Sequence, residues 1–362
     1  MFIFAAGAQQ MKKMNPLKLL NVTCLMLLIL QTMAGWSLYA FDYAIGADLS
    51  FLKQAEDAGS VFKDGETAKP GLQIFKDHGY NWIRLRLFHT PTRLPNGLDY
   101  TIAIAQKAKN LGFKFLLNYH YSDTWADPGK QYIPKAWEGL SHDQLVDSVY
   151  AYTRNTIRAF VDAGVAPDMV QIGNEIIHGM LWPDGKLPEN WDNLAELIQA
   201  GINGVDAGRG NTPRPLIMIH IDKGGDMAAT KYFFDKWHSY GIDYDVIGQS
   251  YYPWWHGSLL DLWQNLMFMA NTYEKDIVLV EVAYNCEPAE YHDKPAPFPE
   301  TPEGQREFLD EVHRLVMNTP NNRGKGVFWW EPATRRGGRR TMFDRDGVAM
   351  PVMTVFDKYT RF

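Results

Sequence analysis

The sequence predicts a single-domain (β/α)8 barrel of the TIM type, on three observations. Short apolar or β-branched runs alternate with amphipathic helical segments eight times after Ala44. No linker, internal repeat or low-complexity tract interrupts the series. A chain of 362 residues and 41.4 kDa is within the range of one elaborated barrel.

The strand runs are AIGADLS, NWIRLRLF, FKFLLNYHYS, MVQIGNEI, PLIMIHID, DVIGQSYY, IVLVEVAY and GVFWWEPA. Between them lie GLQIFKDHG, TIAIAQKAKNLG, the long DQLVDSVYAYTRNTIRAFVDAG, NLAELIQAGINGVDAG, AATKYFFDKWHSYG, LLDLWQNLMFMANTY and EGQREFLDEVHRLVMN, with VMTVFDKY closing the chain. Gly79, Gly112, Gly164, Gly208 and Gly241 stand where helices are expected to stop.

Residues 1–40 read as an export signal. Lys12, Lys13 and Lys18 lead into the apolar run LLNVTCLMLLILQTMAG, and Ala34, Gly35 and Ala40 offer cleavage points near 34–40. The run is short for a spanning helix and lacks a stop-transfer flank, so no membrane attachment is expected beyond the signal. Cys24 sits too early in it for lipidation. Removal leaves the barrel domain, 41–362, with one cysteine, Cys286, and hence no internal disulfide. The destination is a periplasm, a surface or the outside.

A net charge of −6 and a pI near 5.9 exclude the electrostatic footprint of a nucleic-acid binder and disfavour a polyanionic substrate. Aromatic residues make up 14% of the chain, with 12 Trp, and many sit in loop contexts where flat apolar sugar faces could stack on them.

In such a barrel the reacting groups belong at the C-terminal ends of the strands. Glu175 ends the run in VQIGNEIIHG, and Glu281 stands near the end of DIVLVEVAYN. In the second stretch simple alternation puts Glu281 on the face opposite Val278, Val280 and Val282. An isolated carboxylate closing an apolar strand is a poor core residue, so both are expected at the barrel mouth. The second strand turns Arg84 and Arg86 to the face opposite Ile83, Leu85 and Leu87, where buried guanidiniums need carboxylate partners. After the third strand, NYHYSDTWADPGKQYIPKAW gathers His120, Asp123, Trp125, Asp127, Lys130 and Gln131 as one wall of a groove. Further walls carry His178 and Trp182, then Tyr251, Tyr252, Trp254, Trp255 and His256, then Trp329, Trp330 and Glu331.

Two carboxylates flanking a glycosidic oxygen can hydrolyse it with retention, one attacking the anomeric carbon and the other serving as acid and then base, if they meet within roughly 5–5.5 Å. Arg86 and a tyrosine hydroxyl are expected to hold Glu281 charged. That charge in turn raises the pKa of Glu175, and Asn174 is placed for the sugar 2-hydroxyl.

The motifs GADLS at Asp48, HYSDTWADPGKQ from His120 to Gln131, QIGNE at Glu175 with GMLWPDG after it, GQSYYPWWHG from Gly248, VEVAY at Glu281 and WWEPA at Trp330 run from about Gly46 to Pro332. With them the chain resembles glycoside hydrolase family 53, the endo-β-1,4-galactanases, in the clan of retaining barrels with glutamates after strands four and seven. The resemblance implies Glu175 as acid/base and Glu281 as nucleophile. It implies Arg86, His120, Asn174, Tyr252 and Trp330 around the cleaved sugar, and Asp48, Asp123, Trp125, Trp255 and His256 along the groove. Retention and a galactan substrate, the side chains of type I pectic arabinogalactan, come the same way. No cofactor is expected. Some relatives hold calcium after strand seven, but NCEPAEYHDKPAPFPETPEG offers no close acidic cluster, so no metal site is expected. A monomer acting on a polysaccharide is expected. The alternatives are a related barrel acting on mannan or cellulose, and a silent sugar-binding barrel. A metal-dependent hydrolase is weaker still, because no His-x-His pair closes strand one.

Overall fold

The computed structural model describes residues 42–289, 296–334 and 338–360. The predicted signal, 1–40, lies outside the described residues. The unit from Tyr43 onward contains eight barrel strands: β1 Ala44–Asp48, β2 Trp82–Leu87, β3 Lys114–Tyr119, β4 Met169–Ile172, β5 Leu216–Ile221, β6 Val246–Tyr251, β7 Asp276–Val282 and β8 Gly324–Trp329. Each pairs in parallel with its neighbours in sequence, and β1 closes the ring against both β2 and β8. The expected (β/α)8 barrel is therefore the observed fold.

Around it stand α1 Gly71–Asp77, α2 Leu98–Asn110, α3 His142–Asp162, α4 Trp191–Gly208, α5 Met227–His238, α6 Leu259–Thr272 and α7 Pro302–Met317. The chain closes differently from the single helix expected: a 3-10 stretch, Pro351–Phe356, leads into one turn, α8 Asp357–Thr360. Local chemistry sets the starts. Ser141 and Gln144 form a capping box on α3, Ser258 and Asp261 another on α6, and Thr301 caps α7 ahead of Pro302. Gly79, Gly112, Gly164 and Gly241 take the left-handed conformation just past helix ends. Gly208 does not. It stays helical in α4, and Gly210 makes the left-handed turn. The reason is packing, since a Cβ on Gly208 would lie 2.5 Å from the Arg154 carbonyl and one on Gly204 2.7 Å from Thr153 of α3.

Strand alternation sorts the barrel into two cores. Ile83, Leu85, Leu87, Phe115, Leu117, Val170, Ile172, Ile217, Ile219 and Ile247 join the cluster between strands and helices. The opposite positions point inward. Near the N-terminal end they are apolar, with Trp82, Leu116, Met169, Met218 and Phe328 fully buried. Each such side chain contributes about 1.5–3 kcal/mol of transfer free energy. Toward the C-terminal ends the inward positions become Arg84, Arg86, Asn118, Gln171, His220 and Ser250, so the floor is oily and the mouth polar.

β7 breaks the expected alternation. Gly248 pairs with Val278 and Gln249 with Leu279, but Ser250 pairs with Glu281, so Val280 is an extra residue. Val278 faces inward and Leu279 outward. Regular alternation would therefore have sent Glu281 outward to the helices. The bulge turns it back into the barrel.

On α7, His313 is buried among the rings of Tyr43, Phe356 and Tyr359, with neither ring nitrogen hydrogen-bonded within the described structure. Burial pushes its pKa down to about 4. The unfolded chain binds this proton near pH 6.5 and the native state only near 4, so the imidazole costs nothing above the first value and subtracts stability as pH falls between them. His313→Leu is expected to flatten the pH dependence of the urea midpoint over that interval, and an unchanged slope would refute the assignment.

Candidate active site

After β4 the chain turns through Gly173 (φ 80°) and Glu175 (φ 48°, ψ 54°). A non-glycine residue in the left-handed region is strained by roughly 1 kcal/mol or more and persists only where its surroundings fix it. Here Asn174 supplies the fixing. Its Oδ1 accepts from Arg84 Nη2 at 2.8 Å and from Asn118 and Gln171 at 3.1 Å, while its amide donates to the Ala126 carbonyl at 2.9 Å. Glu175 thus leaves β4 toward the barrel axis and meets Glu281 from the β7 bulge. One carboxylate oxygen of each, with a ring nitrogen of His220, lie within 4.8 Å of one another. The two face a cavity of about 370 Å³ lined also by Asp222, Tyr252, Trp255, His256, Trp330 and Arg340.

The carboxylates have unlike surroundings. Glu281 takes Arg84 Nη1 at 2.7 Å on Oε1 and the Tyr252 hydroxyl at 3.1 Å on Oε2. No cation stands within ion-pair distance of Glu175 among the described residues; it accepts only the Ser250 hydroxyl, at 2.6 Å. Burial first, then the charges of Glu281 and Asp222, raise its pKa well above the usual carboxylate range. Asp222 is pushed up to about 6, chiefly by burial, against the pull of Lys223 at 3.0 Å. A pair this close has the spacing for retention rather than the roughly 6.5–9.5 Å that accommodates an attacking water in inversion. Among the described residues, Glu175, His220 and Glu281 are also the one set close enough to share a cation. Hydrogen bonds already engage both nitrogens of His220, and Arg84 occupies Glu281, so the donors are spent within the protein.

The profile described as Glycosyl hydrolase family 53 matches residues 44–362. The chain belongs to this family. It is 37% identical over 301 residues to a probable arabinogalactan endo-β-1,4-galactanase A of Neosartorya fischeri, covering 80% of this chain and 83% of that one. It is 35% identical to an arabinogalactan endo-β-1,4-galactanase of Thermothelomyces thermophilus, covering 86% and 98%. Among solved structures, a fungal β-1,4-galactanase superposes with a TM-score of 0.81 at 34% identity, covering 86% of this chain and 98% of that chain.

In this family 53 chain, most of the expected site residues converge on the cleft, with two corrections. Arg84, not Arg86, holds Glu281. Arg86 instead binds Asp48 at 2.8 Å and Glu331 at 2.6 Å and lies under Trp125, 4.3 Å from its ring centre. Both arginines point inward, and Arg84 is the one that reaches Glu281. Asp48, expected along the groove, is 1% exposed and spends both oxygens on the two guanidiniums, which hold its pKa down against burial. It is an anchor beneath the cleft.

Tyr252, Trp255, His256 and Trp330 line the cavity as expected. His120 is buried against Phe88 and Trp125, its Nδ1 accepting the Ala126 amide at 3.0 Å. Trp125 packs against Phe51, Phe88 and Trp330 at the cavity's edge. Asp123 braces its loop by accepting the Thr90 and Lys135 amides, each at 2.9 Å.

Asp222, Ser250, His220 and Arg340 were not anticipated. Asp222 ends the run PLIMIHID just as Glu175 ends its own, so the same strand-end rule points to it. Arg340 sits in a loop without periodicity, its guanidinium 5.0–5.7 Å from the ring centres of Tyr252, Trp254, Trp255 and Trp330.

Because Arg84 faces both Asp48 and Glu281 in a buried setting, Arg84→Met is expected to lower stability by about 3–5 kcal/mol in urea unfolding. Arg84→Lys should recover little of it, since an ammonium cannot replace the planar fork. Near-complete recovery by lysine would refute a geometric role.

Proposed function

We propose that this chain is a retaining endo-β-1,4-galactanase, with Glu175 as general acid/base, Glu281 as nucleophile and no cofactor. The observation that carries this is the unlike pair within 4.8 Å, one carboxylate charge-compensated by Arg84 and the other, without a cation, with its pKa raised by burial and its negative neighbours. Glu281 attacks the anomeric carbon while Glu175 gives its proton to the departing oxygen. Glu175 then takes a proton from the water that releases the sugar. Arg84 keeps its place throughout, holding the attacking carboxylate and, through Asn174, the backbone that presents the acid.

The substrate reading rests on the family and on the cleft. Two further pockets adjoin the cavity, one sharing Trp255 and His256 and lined also by Lys223 and Met227, the other sharing Trp330 and Arg340 and lined also by Thr334 and Thr341. Adjoining pockets on either side of the carboxylates suit internal cleavage of a polymer, here the β-1,4-galactan side chains of pectic arabinogalactan. Trp255, 54% exposed, offers a stacking face. The basic-then-apolar run from Lys12 to Ala40 supports export, and the protein is read as a monomer.

Product analysis on linear galactan, with mannan and cellulose as controls, tests the substrate: short galacto-oligosaccharides are expected from galactan alone, and cleavage of mannan or cellulose instead would overturn it. Glu281→Ala is expected to abolish turnover while retaining oligosaccharide binding by calorimetry. Glu175→Ala should cost about 10²–10⁴-fold on galactan and far less on activated aryl galactosides, so equal losses would count against it. Trp255→Ala is expected to raise KM for long oligosaccharides more than for short ones, which chain-length kinetics can check.

A further inference from the structure

A line of hydrogen bonds links the two carboxylates through the barrel interior, and its direction can be read. Arg84 donates to Gln171 Oε1 from Nη2 at 3.1 Å and Nε at 3.3 Å, which turns the amide nitrogen of Gln171 away from the guanidinium. That nitrogen, which also reaches Asn118 Oδ1 at 2.6 Å, the Gly173 carbonyl at 3.0 Å and Asn174 Oδ1 at 3.1 Å, lies 3.0 Å from His220 Nδ1, and the Glu175 backbone N–H approaches the same atom at 3.4 Å. Two donors aimed at Nδ1 make it the acceptor, so the single proton of a neutral imidazole sits on Nε2. Burial first, then the charge of Arg84, holds the His220 pKa well below its usual value, which keeps the ring neutral. Nε2 is 2.9 Å from Ser250 Oγ and donates to it. The serine proton then points at Glu175 Oε1, 2.6 Å away.

We propose that Gln171, His220 and Ser250 form a one-way relay from Arg84 that occupies Glu175 Oε1 and reserves Oε2 for the proton transferred in catalysis. Ser250 and His220 are thus positioning residues, and the inference rests on the role proposed for Glu175. No proton travels along the relay. In the first step the O–H bond at Oε2 breaks as the proton joins the oxygen leaving the anomeric carbon, to which Glu281 bonds; in the second Oε2 takes a proton from water as the water oxygen bonds to that carbon and the carbon–Glu281 bond breaks. Throughout, Oε1 keeps the serine hydrogen bond. An acid free to rotate would present its proton to the cleft only part of the time. The charged or titratable groups facing Glu175 are Arg84 from β2, His220 and Asp222 from β5 and its end, Tyr252 after β6 and Glu281 from β7.

The test combines titration with kinetics. ¹³C-detected titration of the Glu175 carboxyl, assigned by its loss in Glu175→Gln, reads the serine bond whatever the substrate. Ser250→Ala is expected to raise the midpoint by about one pH unit, tenfold in the ionisation equilibrium. The alkaline limb of kcat/KM on galactan should move with it. Turnover should fall about tenfold with KM within about twofold, and Ser250→Thr should restore all three. His220→Phe, acting upstream, should shift the midpoint the same way. Ser250→Cys, a weak donor of similar size, should give a smaller shift and covers a failure of the alanine variant to fold. An unmoved midpoint in the folded variants, or a loss of kcat with an unshifted pH profile, overturns the relay. Wild-type protein that leaves galactan intact overturns the substrate reading, while the titration still decides the relay.

Discussion

The site depends on one buried cation. Arg84, 1% exposed, extends its fork to Asp48, Glu281, Gln171 and Asn174 at 2.7–3.3 Å. A guanidinium removed from water is tolerable only when its donors are matched by acceptors of fixed geometry, and a planar fork meets that condition where a flexible ammonium does not. One side chain thereby sets the place of the carboxylate at the β7 bulge and of the loop that carries the other.

Charge balance follows from the same cluster. Asp48, Glu281 and Glu331 crowd around Arg84 and Arg86, so the two guanidiniums are already outnumbered before Glu175 and Asp222 are considered. Further negative charge in a buried site is unfavourable, and the remaining carboxyls respond. Burial dominates the upward shift of Glu175, Asp222 and Glu331 alike, but only Glu175 lacks a cation within ion-pair distance. A carboxyl with a raised pKa beside a cation-paired one is therefore a property of the whole group.

The barrel was legible in the chain because its signals are local: β-branched strands, amphipathic helices and Ser or Thr caps each act over a few residues. The strand-end glutamates were legible for the same reason. The pairing of Arg84 rather than Arg86 with Glu281 was not, since the two share a face two residues apart and their partners Glu281 and Glu331 come from distant parts of the chain. Asp123 shows the limit of composition: a polar residue in an aromatic loop marks the loop, but does not show that its oxygens brace it by holding two backbone amides. Ser250 was hidden by its ordinariness, for a serine on a strand gives no sign of the carboxylate it will meet.

Alternation on β7 pointed to the right residue for an incomplete reason. It separated Glu281 from the valines, but Val278 faces the interior, so a regular strand would have turned the glutamate toward the helices. The extra residue Val280 reverses that. Glu175 likewise stands outside regular structure, in the left-handed region just beyond β4. Both carboxylates thus reach the cleft by a local break in the ladder, and the breaks are affordable because the floor of Trp82, Leu116, Met169, Met218 and Phe328 carries the packing below them. Stability concentrated at one end of the barrel leaves the other free to hold strained backbone and buried charge, which is why the polar layer begins where the apolar one stops.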